Sequence, residues 1–165
     1  MMHMEIVINA SPIILLSKIG RLSLLNNLYG KVYIPDAVIM EVTDASRSDK
    51  ALNLGTLEYS HLIVANKVAV NGLLGRLHSG EVEVIVGAIE KGIKTVVLDE
   101  IAARNKAKQY DLNTIGTLGI LMRAKKDGLI DNIETEIEAI RDANMYLSDD
   151  LVKRVIDISS NSSLT

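Results

Sequence analysis

Residues 80–112 read GEVEVIVGAIEKGIKTVVLDEIAARNKAKQYDL, and the fold class follows from how the apolar period changes along them. Val82, Ile85, Val86 and Ile89 recur at helical spacing, Gly92 ends that pattern, and Thr95 to Leu98 form an apolar run closed by Asp99. A second helical pattern runs from Glu100 to about Tyr110. The unit is therefore helix, strand, helix. A wholly apolar strand between helices belongs to a parallel sheet covered on both faces, and such sheets bind ligands beyond the carboxyl ends of their strands. Asp99 stands at such an end. Glu81 and Glu83 fall in the first turn of the preceding helix, where the partial positive charge of the helix start favours carboxylates. At this level helix capping explains these acids as well as chemistry does.

The flanking chain repeats the alternation. Glu5 to Asn9 is a short apolar run ending on a polar residue, and Ala10-Ser11-Pro12 predicts a helix start with Ser11 as cap and Pro12 at the first helical position. That helix should stop near Gly20, and a second, RLSLLNNLYG, near Gly30. Val32 to Ile34 predicts a strand broken by Pro35 and Asp36, and AVIMEV a helical turn or two with Glu41 as its one charge. Apolar neighbours leave that carboxylate a narrow exit, so pairing or a cation is expected for it. Residues 43–60 turn polar and form a candidate lid, Leu62 to Ala65 predicts a strand, and NGLLGRLHSG a glycine-punctuated link. Asn113 to Ile115 is a candidate edge strand, and Gly116-Thr117 opens a helix ending at Gly128. Residues 131–144 and 148–158 predict two more helices. The expectation is an α/β three-layer sandwich with a short parallel central sheet and extra C-terminal helices: one domain over 1–158, then a polar tail, 159–165.

Composition narrows the function. With 165 residues, 48% of them hydrophobic, and a mean hydropathy of +0.21, the chain is long and apolar enough for a real core and a buried interface. A homodimer through the aliphatic early helices is one expectation; a simple core role for them is the other. Phe and Trp are absent and Tyr numbers five, so base stacking on aromatic rings is a minor theme. Absence of Cys excludes disulfides, thiol catalysis and thiolate metal sites, and His3, His61 and His78 lack ligand spacing. The amino end has neither a basic region nor a long apolar run, which predicts no membrane span and a cytoplasmic protein. The net charge of −3 does not advertise nucleic-acid binding, but Arg104, Lys106 and Lys108, with Arg123, Lys125 and Lys126, form two basic clusters. They are solvated helix faces or a rim that tracks a phosphate backbone.

On the sheet reading, Asn9 and Asp99 end two strands on one side, and Glu41 and Glu81 approach that edge from helices. Carboxylates crowded together cannot all stay ionised without compensation, and a hard divalent cation with oxygen ligands supplies it. Such a cation suits phosphodiester hydrolysis. The segment GLLGRLHSG lacks the Lys-Ser/Thr ending of a phosphate-cradling P-loop.

Four segments, INASPIILLSKIGRLSLL, YIPDAVIMEV, the stretch 80–112, and IGTLGILMRAKKDGLI, together resemble PIN-domain proteins, in particular the VapC-like ribonuclease toxins and a compact prokaryotic branch with NASP in place of the first Asp motif. The resemblance implies a PIN fold and a metal-dependent single-strand ribonuclease using Mg2+ or Mn2+. It places the four family positions on Asn9, Glu41, Glu81 and Asp99, with Glu41, Glu81 and Asp99 as metal ligands and Ser11 supporting the first position. Glu83 is the rival for third acid. The two basic clusters become candidate RNA contacts, and an antitoxin protein a candidate partner. Asn9 supplies an amide oxygen without charge where Asp is usual, which implies lower cation affinity and a preference for Mn2+ or high Mg2+. The alternative is a catalytically weakened PIN module that binds RNA or a protein partner.

Overall fold

Five short strands alternate with helices in the computed structural model, which describes residues 4–44, 52–143, 147 and 149–162. The strands are β1 (Glu5–Ile8), β2 (Lys31–Pro35), β3 (Ser60–Leu62), β4 (Thr95–Val97) and β5 (Asn113–Ile115). Helices α1 (Ala10–Lys18) and α2 (Leu24–Leu28) join β1 to β2, and α3 (Asp36–Thr43) follows β2. Helices α4 (Lys67–Leu73) and α5 (Ser79–Lys91) lead from β3 to β4, and α6 (Ile101–Gln109) joins β4 to β5. Beyond the sheet come α7 (Thr117–Lys126), α8 (Ile133–Asp142) and α9 (Asp149–Ser162).

All pairings are parallel and the strand order is β3-β2-β1-β4-β5. The chain winds outward from β1 through β2 to β3, then crosses to β4 and winds the other way. Its switch point lies between β1 and β4, the place where open α/β sheets form their ligand crevice. Ile6, Val7 and Ile8 of β1 and Val96, Val97 and Leu98 at β4 are completely buried. Burial on both faces is why these runs are apolar without alternation. Helices α5 and α6 pack together, while α1, α2, α8 and α9 gather around α7. The three-layer α/β sandwich with a parallel central sheet and extra C-terminal helices is thus the fold of this chain.

Local details differ from the pattern. The first helix is capped by Asn9, not Ser11, and the Asn9 side chain makes no cap bond to it. Pro12 still falls within the first turn, where amides have no helical partner to lose. The third strand pairs at Ser60–Leu62, earlier than Leu62 to Ala65, because its partner β2 ends opposite Leu62 at Pro35, which has no N–H to extend the ladder. Gly20, Gly92 and Gly128 adopt the left-handed conformation of helix ends, whereas Gly30 does not, since α2 already stops at Leu28. A short helix, α4, occupies the start of the supposed glycine-punctuated link. Ile89 is 47% exposed, so the buried side of α5 is Val82, Val84, Ile85, Val86 and Ala88. The last helix continues to Ser162, past Ile158, with Ser159 buried. Residues 45–51 of the candidate lid lie outside the described residues; the remainder carries a 3-10 turn, Leu54–Thr56.

An ion pair ties the added helices to the sandwich. Arg21, between α1 and α2, donates from Nη2 to Glu136 Oε1 at 2.6 Å and from Nε to both Glu136 oxygens at 3.1 Å. The hydrogen bond to Glu136 holds the Arg21 guanidinium above its ordinary pKa. Glu136 on α8 is buried, so removing Arg21 would strand its charge. Among the described residues no helix is long and apolar enough to cross a membrane.

At Gly87 in α5 the packing is closer than a methyl group allows. A Cβ there would lie 2.5 Å from Leu62 Cδ2 and 3.2 Å from Val64 Cγ2. Gly to Ala inside a helix ordinarily stabilises by about 1 kcal/mol. Here overpacking, roughly 1–3 kcal/mol, opposes it, and Gly87→Ala is expected to lower the urea midpoint rather than raise it.

Candidate active site

At the carboxyl edge of the sheet, amides at the starts of α3, α5 and α7 meet the acids of that edge. Asn9 follows β1 directly, is 5% exposed, and donates its backbone N–H to Val97 O at 3.1 Å. That bond sets the end of β1 against the end of β4. Asp99 lies two residues beyond Val97 and is half-buried. Its Oδ1 accepts from Thr117 N and its Oδ2 from Thr117 Oγ1, both at 2.7 Å, so it caps α7. Leu98 N–H bonds Ile115 O at 2.9 Å, which brings Gly116 and Thr117 beside Asp99.

Helix α5 presents Gly80 to the same edge. A Cβ at Gly80 would stand 3.1 Å from Asn9 Oδ1 and 3.3 Å from Glu41 Oε2. Glycine therefore lets two oxygens of different elements converge on the helix start, whose partial charge favours them. Glu41 is not enclosed as its apolar neighbours suggested. It is exposed, as is Met40, because α3 buries Val38 and Val42 and turns its other face to solvent. The carboxylate reaches the edge from the surface.

Glu81 is buried, and its Oε2 accepts from His78 N at 3.1 Å across the first turn of its own helix. Glu83, half-buried, spans to α3, where its Oε1 accepts from Ala37 N at 3.2 Å. Both rivals for the third acid thus bond helix-start amides. Ser11 is half-buried in the first turn of α1 and lines a cleft together with Asp99.

The two basic clusters lie on separate helices, and one member of each, Arg104 and Arg123, lines the same cleft. Helix α6 packs on α5 and β5, while α7 packs on α1 and α2. Arg123 pairs with Asp127 at 3.1 Å, Lys106 donates to Gln109 at 3.3 Å, and Lys108 and Lys126 are exposed, with Lys125 half-buried. Arg104 differs: its Nη1 donates to Leu98 O at 3.1 Å, and a Cβ at Gly116 would lie 2.7 Å from that nitrogen and 3.1 Å from Asp99 Oδ1. It belongs to the edge itself.

Every donor that converges here is a hard oxygen, the chemistry of a Mg2+ or Mn2+ site. Among the described residues no three His, Cys, Asp or Glu side chains close into a ready metal cluster. Asn9 Oδ1 and Glu41 Oε2 both face the position a Gly80 Cβ would take. Thr117 and the two glycines escaped the sequence reading. Gly116-Thr117 was legible as a helix start, but nothing local tied it to Asp99.

A parallel sheet wound in both directions from β1, with acids at its carboxyl edge, defines the chain as an α/β protein of the open-sheet class. More specifically, the chain belongs to the PIN-domain family, whose model matches residues 5–161. That assignment brings nuclease-type activity and the use of divalent metal ions as general properties of the family. No curated protein matches the sequence.

If Gly80 exists to admit Asn9 and Glu41, Gly80→Ala should leave folding stability within about 1 kcal/mol. It should also diminish the rise in melting temperature produced by Mn2+, measured by calorimetry with and without the ion.

Proposed function

We propose that this protein is a metal-dependent endoribonuclease that cleaves single-stranded RNA, acting as the toxin of a toxin–antitoxin pair in the cytoplasm, as a homodimer held in check by an antitoxin protein. The observation that carries the nuclease part is the convergence of Asn9 Oδ1 and Glu41 Oε2 over Gly80, one strand away from Asp99. Glu41 and Asp99 would hold Mg2+ or Mn2+, Asn9 would add its amide oxygen, and Glu81 would complete the set. A carboxylate oxygen accepts more than one hydrogen bond or ligand contact, so the caps made by Glu81 and Asp99 do not remove them from this role. The bound cation would lower the pKa of water and neutralise charge on the phosphodiester.

The chain's own residues do the rest. Thr117 fixes both oxygens of Asp99 and so holds the carboxylate in one orientation. Ser11 and Asn9 orient water at the edge. Because Asn9 contributes no charge, cation affinity should be low, and Mn2+ should serve better than Mg2+. Asn9 and the open arrangement of the acids also support a second reading, a catalytically weakened module that binds RNA or a protein partner.

Cleavage of end-labelled single-stranded RNA in Mn2+ separates the two. The parent chain should cut, Asp99→Asn should lose at least about 100-fold in rate, as removal of one electrostatic stabiliser does, and Asn9→Asp should retain or raise activity and reduce the Mn2+ requirement. A silent parent rescued by Asn9→Asp would favour the binding module; silence of both would remove the nuclease reading.

A further inference from the structure

Asp99 and Ser11 open into a cleft of about 840 Å³ that runs between α1, α7 and β5 and is roofed by α9. This volume is within the roughly 300–1,000 Å³ of small-molecule sites. Its walls are mostly apolar, with Leu15, Tyr29, Leu118 and Met122 among them, and Glu100 and Arg123 stand in the lining with Asp99. Arg104 stands at the mouth, tethered to Leu98 O beside Asp99. The ion pairs among the described residues join Arg21 to Glu136, His61 to Asp36, Arg123 to Asp127 and Arg141 to Asp149. Arg104 enters none of them. A half-buried guanidinium that lines a cleft and gives a donor to one carbonyl is suited to an anionic oxygen pair.

The edge strand adds a reading surface. Asn113 N–H bonds Lys94 O and Ile115 O accepts from Leu98 N, so these two residues turn their peptide groups toward β4. Thr114, between them, turns its own N–H and C=O to the free edge, and it lines the cleft. One donor and one acceptor from the same residue match the edge of a nucleobase, while aliphatic walls can cover its faces.

From these features we infer that the cleft is the subsite for one nucleotide of the RNA, with its phosphate on Arg104 over Gly116, its base between the aliphatic walls, and its base edge at Thr114. The inference rests on the ribonuclease reading for the identity of the polymer but not for the binding itself. It makes Arg104 a phosphate-binding residue of the edge and assigns base preference to β5 and α7. Tyr29 also lines the cleft, so the base would be enclosed by leucine, methionine and one tyrosine side chain.

Titration of each of the four ribonucleoside 5′-monophosphates, without divalent cation and followed by amide NMR, tests it. At least one should shift the amides of Ile115, Leu118 and Gly119. Arg104→Gln should weaken that binding about tenfold, the loss of one charge-assisted contact. Leu118→Trp, which fills the cleft, should abolish it, with thermal melts confirming that both variants fold. Absence of shifts at these amides with all four nucleotides overturns the subsite, as does inorganic phosphate reproducing the same shifts at the same affinity. RNA cleavage in Mn2+, run in parallel, separates the two readings. A parent that binds nucleotide in the cleft yet leaves RNA intact overturns the nuclease and keeps the subsite. A parent that cuts RNA with KM unchanged in both variants overturns the subsite and keeps the nuclease.

Discussion

The hydrogen bond from Asn9 N–H to Val97 O is the constraint on which the edge depends. It closes the ladder between β1 and β4, the two strands from which the chain departs in opposite directions, and so fixes where their polar successors emerge. Asn9 and Asp99 come to the same edge although 89 residues of chain lie between them. One bond further along, Leu98 N–H to Ile115 O repeats the arrangement and delivers Thr117 to Asp99. Parallel pairing with short connections makes this possible, because every strand then ends on the same side and a helix begins immediately after each.

Crowded acids in this fold are compensated first by helix starts. Glu81 answers an amide of α5, Glu83 one of α3, and Asp99 both donors of Thr117 at the start of α7. Each of these bonds satisfies an amide that the helix cannot. Capping and ligation are therefore not competing explanations for the acids, because the caps hold the carboxylates in place and leave them further lone pairs. Only Glu41 arrives without such a bond, from an exposed position on α3, which makes it the acid freest to follow a ligand.

The two glycines of the edge do corresponding work. Gly80 admits Asn9 and Glu41, and Gly116 admits Asp99 and Arg104. A methyl group at either position would occupy space that polar side chains now take. Acid and guanidinium stand side by side at the cleft, where Asp99 and Arg104 share the space over Gly116. A polyanion meeting a cation among the acids and Arg104 beyond them would find both ends of a short segment held.

By itself the sequence determined the alternation of elements, the parallel sheet, and the candidate edge residues, because apolar runs without period two require burial on both faces and because Asn9 and Asp99 visibly end such runs. It also supported the resemblance to PIN domains that the family match bears out. Three things were decided only by tertiary structure. The exposure of Glu41 depends on which face α3 buries, and eight residues of near-continuous apolar pattern do not declare that. That Arg104 and Arg123, one from each basic cluster, line one cleft depends on how α6 and α7 pack in the sandwich. The pairing of Asp99 with Thr117, and the place of Arg104 beside them, depends on strand register, since hydrogen bonds between β1, β4 and β5 join residues that no local spacing connects.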